Sequence, residues 1–153
     1  MKQKPEKIEF RYGLGENDIP QLMEIENTCF SDPWSEATFR SEISSPYSFY
    51  VAALEKERVV GYIGGMILYE NCDITNVAVL PDMRRRGIAT GMLEIFLEGC
   101  RTKGAERAML EVRESNVEAI RLYEGFGFRS YGRRVEYYEN PAEDAVLMVV
   151  SLC

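Results

Sequence analysis

The spacing of hydrophobic positions along this chain changes repeatedly, and each change marks an element. Ile8–Tyr12 alternates apolar and polar residues until Gly13 and Gly15 interrupt it, which predicts a short strand and a turn. From Ile19 the interval lengthens: Ile19, Leu22, Met23, Ile25 and Glu26 recur at roughly helical spacing, with Asp18 placed to cap the helix and Ser31-Asp32-Pro33 to end it. Ser35 is placed to cap a second helix reaching Ile43, which Pro46 closes. Residues 47–54 and 59–69 are rich in aromatic and β-branched side chains and flank the polar Glu55-Lys56-Glu57-Arg58, a hairpin pattern. A third strand spans 72–80 and stops at Pro81-Asp82.

The strongest amphipathic stretch follows, from about residue 87 to 103, with Ile88, Met92, Ile95, Phe96 and Cys100 on one face and Gly104 suited to the position after the helix. Residues 107–112 read as a strand, 116–124 as a helix ended by Gly125 and Gly127, and 128–138 and 145–152 as two closing strands. The order is β-α-α-β-β-β-α-β-α-β-β. Three consecutive strands favour antiparallel hairpins, whereas the strand-helix-strand unit of residues 72–112 requires a parallel crossover. The expectation is an α/β fold with a mixed central sheet of about seven strands and four helices on both faces, in a single domain over residues 1–153.

Composition narrows the chemistry. The chain has 153 residues, 46% hydrophobic and 28% charged, enough for one domain with a real core. Its 25 acidic against 18 basic residues argue against a nucleic-acid binder, since phosphate backbones select basic surfaces. An acidic surface suits a basic substrate, and equally serves solubility. With no histidine, a histidine base, a Ser/His or Cys/His dyad and histidine-bearing zinc sites are excluded together, and no metal is expected. Cys29, Cys72, Cys100 and Cys153 are widely spaced and read as reduced, buried thiols. Residues 1–10 carry charges without an apolar core and the run 59–69 is too short to span a bilayer, so a cytoplasmic protein without membrane contact is expected.

The most informative segment is Asn76-Val77-Ala78-Val79-Leu80-Pro81-Asp82-Met83-Arg84-Arg85-Arg86-Gly87-Ile88-Ala89-Thr90. A strand end, a basic loop and a helix N-terminus in succession make an anion trap. The first helical amides lack intrahelical acceptors, the helix dipole adds positive potential, and Gly87 removes the Cβ that would hold a diphosphate off the backbone. A solvated arginine turn before a core helix is the alternative. No G-x-x-x-x-G-K-[ST] or complete G-x-G-x-x-G is present, so nucleoside triphosphate chemistry is unsupported.

Arg84-x-x-Gly87-x-Ala89 after Val77-Ala78-Val79 resembles the acetyl-CoA motif of the GCN5-related N-acetyltransferases, Q/R-x-x-G-x-G/A. Arg84 stands where close relatives often carry Gln, and Ala89 where Gly is common. Leu110-Glu111-Val112-Arg113-Glu114-Ser115-Asn116 and Ala119-Ile120-Arg121-Leu122-Tyr123-Glu124-Gly125-Phe126-Gly127-Phe128 resemble the second half of that fold. Phe30-Ser31-Asp32-Pro33-Trp34-Ser35 narrows the resemblance to the RimI type, the ribosomal-protein-alanine N-acetyltransferases. The resemblance runs from about Phe10 to Leu152.

It implies acetyl-CoA as co-substrate, held by Val77, Ala78, Val79, Arg84, Arg85, Arg86, Gly87, Ile88, Ala89, Thr90 and Asn116, with the Val79 amide polarising the thioester carbonyl. It implies Glu111 as general base, direct or through water, and Tyr123 as proton donor to the thiolate. By their own patterns Glu111 is free to face solvent, Tyr123 falls in an apolar helical row with Ile120 and Phe126, and Asn116 is a natural helix cap. Trp34, Tyr137 and Tyr138 fall where the family's acceptor groove is lined, although large aromatics are core residues by default. The implied partner is a protein or peptide N-terminus, such as that of a ribosomal protein. An α-amine titrates near ~8 and a lysine near ~10.4, a gap worth about 3.4 kcal/mol, so a single carboxylate suffices more readily for an N-terminus. Acetylation of lysine or a small amine, and an acyl-CoA-binding module without turnover, are the other readings.

Overall fold

The computed structural model describes residues 7–153; residues 1–6, which the single-domain expectation also covers, lie outside it. The elements follow the predicted order: β1 (Ile8–Tyr12), α1 (Ile19–Cys29), α2 (Glu36–Ser44), β2 (Ser48–Glu55), β3 (Arg58–Leu68), β4 (Asn71–Val79), α3 (Ile88–Thr102), β5 (Arg107–Arg113), α4 (Val117–Gly125), β6 (Arg129–Tyr138) and β7 (Glu143–Ser151). Short 3-10 turns at Glu16–Asp18 and Pro81–Met83 precede α1 and the loop into α3. The seven strands form one mixed sheet in the order β1-β2-β3-β4-β5-β7-β6, with four α-helices among the described residues.

Two compact units make up the chain, the first reaching Gly64 and resuming over Asn76–Phe96, the second formed by Gly65–Thr75 and Leu97–Cys153. In the first, β1 pairs antiparallel with β2 from Ile8↔Glu55 to Tyr12↔Val51. Alternation sends adjacent aromatics of β2 to opposite faces. Phe49 packs on Phe96 of α3 at 5.0 Å between centroids, while the Tyr50 ring fills the space over Gly64. Beside Tyr50, Trp34, Phe39 of α2 and Tyr62 of β3 form an edge-to-face row, at 5.3 and 5.8 Å.

The same face buries a carboxylate. Glu26 of α1 is 2% exposed and accepts from Tyr62 Oη at 2.5 Å and from the Trp34 amide at 2.9 Å, while Asn76 Nδ2 donates to Tyr62 Oη at 3.2 Å. Burial raises the Glu26 carboxyl above its ordinary range, and the Trp34 and Tyr62 bonds oppose that rise. Ser35 caps α2 as predicted, accepting from Thr38 N at 3.1 Å. Asp18 does not cap α1: its own backbone is helical, and its carboxylate turns back to the Gly15 amide and Arg11, both at 2.7 Å.

In the second unit, β4 pairs parallel with β5 over Asn71↔Arg107 to Ile74↔Leu110, and β5 pairs antiparallel with β7 from Arg107↔Ser151 to Arg113↔Ala145. Gly65 is obligatory at its place in β3, since a Cβ there would lie 2.1 Å from the Asp73 carbonyl oxygen. β6 pairs with β7 in a register that shifts twice, between Ser130 and Gly132 and between Arg134 and Tyr138. Gly104 ends α3 at φ 94°, the left-handed residue expected there. All four cysteines are free, but only Cys72 and Cys100 are fully buried, with sulfurs 3.2 Å apart; Cys29, the last residue of α1, is half-buried, and Cys153, beyond the end of β7, is exposed.

Candidate active site

The loop between β4 and α3 belongs to the first unit. The 3-10 turn at Pro81–Met83 buries Met83 and turns the chain outward, so Arg84, Arg85, Arg86 and Gly87 are exposed while Ile88 anchors the first helical turn in the core. Arg85 and Gly87 take positive φ, 64° and 73°. The Gly91 amide bonds back to the Gly87 carbonyl at 3.0 Å, so the amides of Ile88, Ala89 and Thr90 precede the first closed helical bond and point outward from the helix start. A Cβ at Gly87 would meet nothing within 4 Å, which leaves open the approach to that backbone.

The arginine side chains are partly spoken for. Arg84 Nε donates to the Val79 carbonyl at 3.2 Å, and Cys29 Sγ lies 3.4 Å from that oxygen. Arg86 pairs with Glu55 at 2.9 Å. The anion-binding capacity of this loop therefore resides in its backbone amides more than in its guanidinium groups. Upstream, Val77 is half-buried, Ala78 and Val79 are buried, and the nearby Asn76 Oδ1 is a buried acceptor without a donor among the described residues. Open amides, a glycine without neighbours and an unsatisfied buried acceptor fit a ligand carrying a diphosphate and amide groups.

The remaining candidates gather in the second unit. On β5, Ala108, Leu110 and Val112 are buried, and alternation turns Met109, Glu111 and Arg113 to the other face. Glu111 is not simply solvated. Its Oε1 lies 3.1 Å from Arg134 Nε, and the Tyr137 hydroxyl donates to its carboxylate, which raises the Tyr137 phenol. Tyr138 stands beside it in sequence, edge to face with Tyr137 at 5.0 Å and covered by the Arg113 guanidinium at 4.5 Å. Burial, then the charge of Glu111, pushes Tyr138 up to about 12, against the pull of Arg113. Arg113 also holds the turn before β7, donating to the Glu139 and Pro141 carbonyls and to Glu143.

Tyr123 sits on α4, 6% exposed and against Phe128 at 5.7 Å. Burial, with a smaller contribution from Tyr138, pushes its phenol up to about 12, so it is protonated at neutral pH. Asn116 caps α4 by accepting from Ala119 N at 3.2 Å, the local bond its residue type favours. Glu111, Tyr123, Tyr137 and Tyr138 thus share one unit with interacting charges. Arg134 and Arg113 were not among the sequence candidates: their roles depend on the β6 register shift and on the turn before β7, which hydrophobic spacing does not encode.

In comparisons with known proteins, the model of the "Acetyltransferase (GNAT) family" matches residues 19–128. A [ribosomal protein bS18]-alanine N-acetyltransferase of Salmonella typhimurium is 32% identical over 141 residues, covering 91% of this chain and 95% of that protein. The Escherichia coli protein of the same description is 30% identical over 141 residues, with 91% and 95% coverage. Among solved structures, the ribosomal-protein-S18-alanine N-acetyltransferase from Escherichia coli superposes with a TM-score of 0.89 at 28% identity, covering 95% of this chain and 94% of that one. The motif blocks, the seven-stranded mixed sheet and these matches agree: the chain belongs to the acetyltransferase (GNAT) family and is an acetyl-CoA-dependent N-acetyltransferase.

Proposed function

We propose that the chain works as one catalytic domain that transfers the acetyl group of acetyl-CoA to the N-terminal α-amine of a protein, a ribosomal protein of the bS18 kind. The observation that carries the reading is the state of the second-unit cluster: an accessible carboxylate, Glu111, ringed by Tyr137, Tyr138 and Arg134, together with Tyr123, a buried phenol that keeps its proton. A pure acyl-CoA binder has no use for such a pair. The named activity of the Salmonella and Escherichia coli relatives supports the α-amine over lysine, as does the lower pKa of an α-amine.

Acetyl-CoA supplies the thioester. In the proposed reaction the amides at the start of α3 and the open backbone at Gly87 hold its diphosphate. The Val79 amide is assigned to the thioester carbonyl, where a donor matched to the developing oxyanion lowers the barrier most. Glu111 removes a proton from the amine, directly or through one water, and Tyr123 donates to the departing thiolate. Tyr137 and Tyr138 flank the acceptor. Asn116 keeps its capping bond while contributing to the coenzyme side. The free thiols accord with a reducing, cytoplasmic setting.

The test is turnover with acetyl-CoA on three peptides: a free alanine N-terminus, a free methionine N-terminus, and a blocked N-terminus with an internal lysine. Mass spectrometry locates the label. Acetyl on the α-amine, alanine above methionine, is expected; label on lysine alone overturns the substrate reading, and coenzyme binding without turnover overturns the catalytic one.

A further inference from the structure

Val79 closes β4, and the backbone around it is held from two sides. The next amide, that of Leu80, donates to the Val60 carbonyl of β3 at 2.9 Å. An extended residue turns its own N–H and C=O to one side of the strand and its neighbours turn theirs to the other, so the Val79 amide and carbonyl both face away from β3. On that side two side chains take the carbonyl. Arg84 reaches back five residues to donate from Nε at 3.2 Å, and Cys29, at the end of α1, donates from Sγ at 3.4 Å. Arg84 Nη2 lies 3.7 Å from the same sulfur, which closes the three groups into a triangle. Burial raises the Cys29 thiol against the opposing pull of Arg84, so the sulfur keeps at neutral pH the proton it donates. The Arg84 backbone is fixed as well, its amide donating to the Pro81 carbonyl at 3.3 Å.

We infer that Arg84 and Cys29 are positioning residues for the thioester: by holding the Val79 carbonyl they fix the direction of the amide beside it, and the Arg84 guanidinium serves this bond rather than the coenzyme diphosphate. The inference deepens the proposed reaction and rests on its assignment of the Val79 amide to the thioester carbonyl. An amide polarises a carbonyl only when its N–H is aimed at the developing oxyanion, and it contributes most when nothing has to reorganise as the charge forms. A strand end is a poor place to keep such aim. The chain leaves β4 directly for the turn at Pro81–Met83, and the ladder of β4 with β5 ends earlier, at Ile74↔Leu110. Two donors on the Val79 carbonyl supply the restraint that ladder bonds give elsewhere in the strand. They contribute unequally, since a guanidinium N–H is a charge-assisted donor and a thiol S–H a weak one. Arg84 therefore does most of the holding, and Cys29 steadies it by accepting from Nη2.

The test observes the thioester directly. Isotope-edited infrared spectra of acetyl-CoA labelled with carbon-13 at the acetyl carbonyl are taken bound to wild type, R84M, R84Q, C29A and C29S. Calorimetric affinity for CoA at low and high salt, melting temperature, and kcat with the free-alanine peptide are measured on the same preparations. Bound to wild type, the carbonyl stretch is expected below its frequency in water. R84M should lose most of that shift and about tenfold in kcat, with CoA affinity and its salt dependence within about twofold of wild type. Gln carries an N–H on Cδ, as Arg does, so R84Q restores the donor without the charge and should recover most of both losses. C29A should show a smaller loss of the same kind, which C29S repairs; this pair reads the same shift should R84M not fold. A full wild-type shift in R84M, or about a tenfold loss of CoA affinity in R84M and R84Q alike with a flatter salt dependence, overturns the inference, the second result making Arg84 a diphosphate ligand. Absence of the shift in wild type overturns instead the Val79 assignment on which the inference rests.

Discussion

Arg134 Nε on β6 lies 3.1 Å from Glu111 Oε1 on β5, so the carboxylate assigned to deprotonate the acceptor is already engaged by a guanidinium. The pair is partly exposed, with Arg134 59% and Glu111 30% accessible at the side chain. An exposed ion pair contributes about 1 kcal/mol or less. Opening it for the substrate therefore costs at most about fivefold in rate. Arg134→Ala should raise kcat/KM by up to about fivefold at low ionic strength, with the gain fading in high salt as the wild-type pair is screened. A large loss of activity in this variant would instead make Arg134 a substrate-binding group. Glu111→Gln should lower kcat by about a hundredfold or more and leave coenzyme binding intact, measured by calorimetric titration of CoA.

For Tyr123→Phe the ring and its contact with Phe128 remain, so the melting temperature should move little. The turnover number should fall about a hundredfold with KM for acetyl-CoA nearly unchanged. With its phenol at about 12, Tyr123 remains protonated through the assay range. Any basic limb of the wild-type rate profile below about pH 10 should thus persist in the variant, and its disappearance would show that Tyr123 titrates earlier than its burial implies.

Gly87→Val tests the anion cradle. A β-branched residue at φ 73° is strained, by roughly 1–2 kcal/mol, although no neighbour blocks its Cβ. The side chain would occupy the space in which a diphosphate approaches the backbone. KM for acetyl-CoA should rise about tenfold or more. Gly104→Ala, at φ 94° after α3, is the control: comparable strain and loss of melting temperature, with KM for acetyl-CoA unchanged.

Glu26 makes stability depend on pH with a definite sign. Burial raises its carboxyl in the folded chain, so folding favours the protonated form. Its contribution is fully present below the unfolded carboxyl pKa and is lost as pH rises through the raised folded value. Glu26→Gln, which can still accept from Trp34 N or Tyr62 Oη, should therefore melt higher relative to wild type at pH 8 than at pH 4. Glu26→Ala leaves both donors buried without a partner, at roughly 1–3 kcal/mol each. Denaturation at the two pH values measures both effects, and an advantage for Gln that grows in acid would contradict the assignment.

Much of the fold and part of the site could be read from local features, because their causes are local. Helix and strand periods placed every element, and Ser35 and Asn116 cap α2 and α4 through bonds to amides three residues away. Gly87 and Gly104 lie at positive φ because the chain must turn there and a Cβ would resist it. The alternation of β5 turned Glu111 away from Leu110 and Val112 before any partner was known. The partners themselves were beyond such reasoning. Asp18 suited a cap, but Arg11 and the Gly15 amide offered its carboxylate stronger bonds. Glu26 sat in an apolar row, and only Tyr62 and Trp34, brought in from β3 and the turn before α2, explain why a carboxylate can be buried there. Arg134 and Tyr137 reach Glu111 through a register shift in β6. Spacing along a chain sets which side of an element a residue occupies; which charges then meet depends on register between distant segments, and that is settled by packing the whole sheet at once.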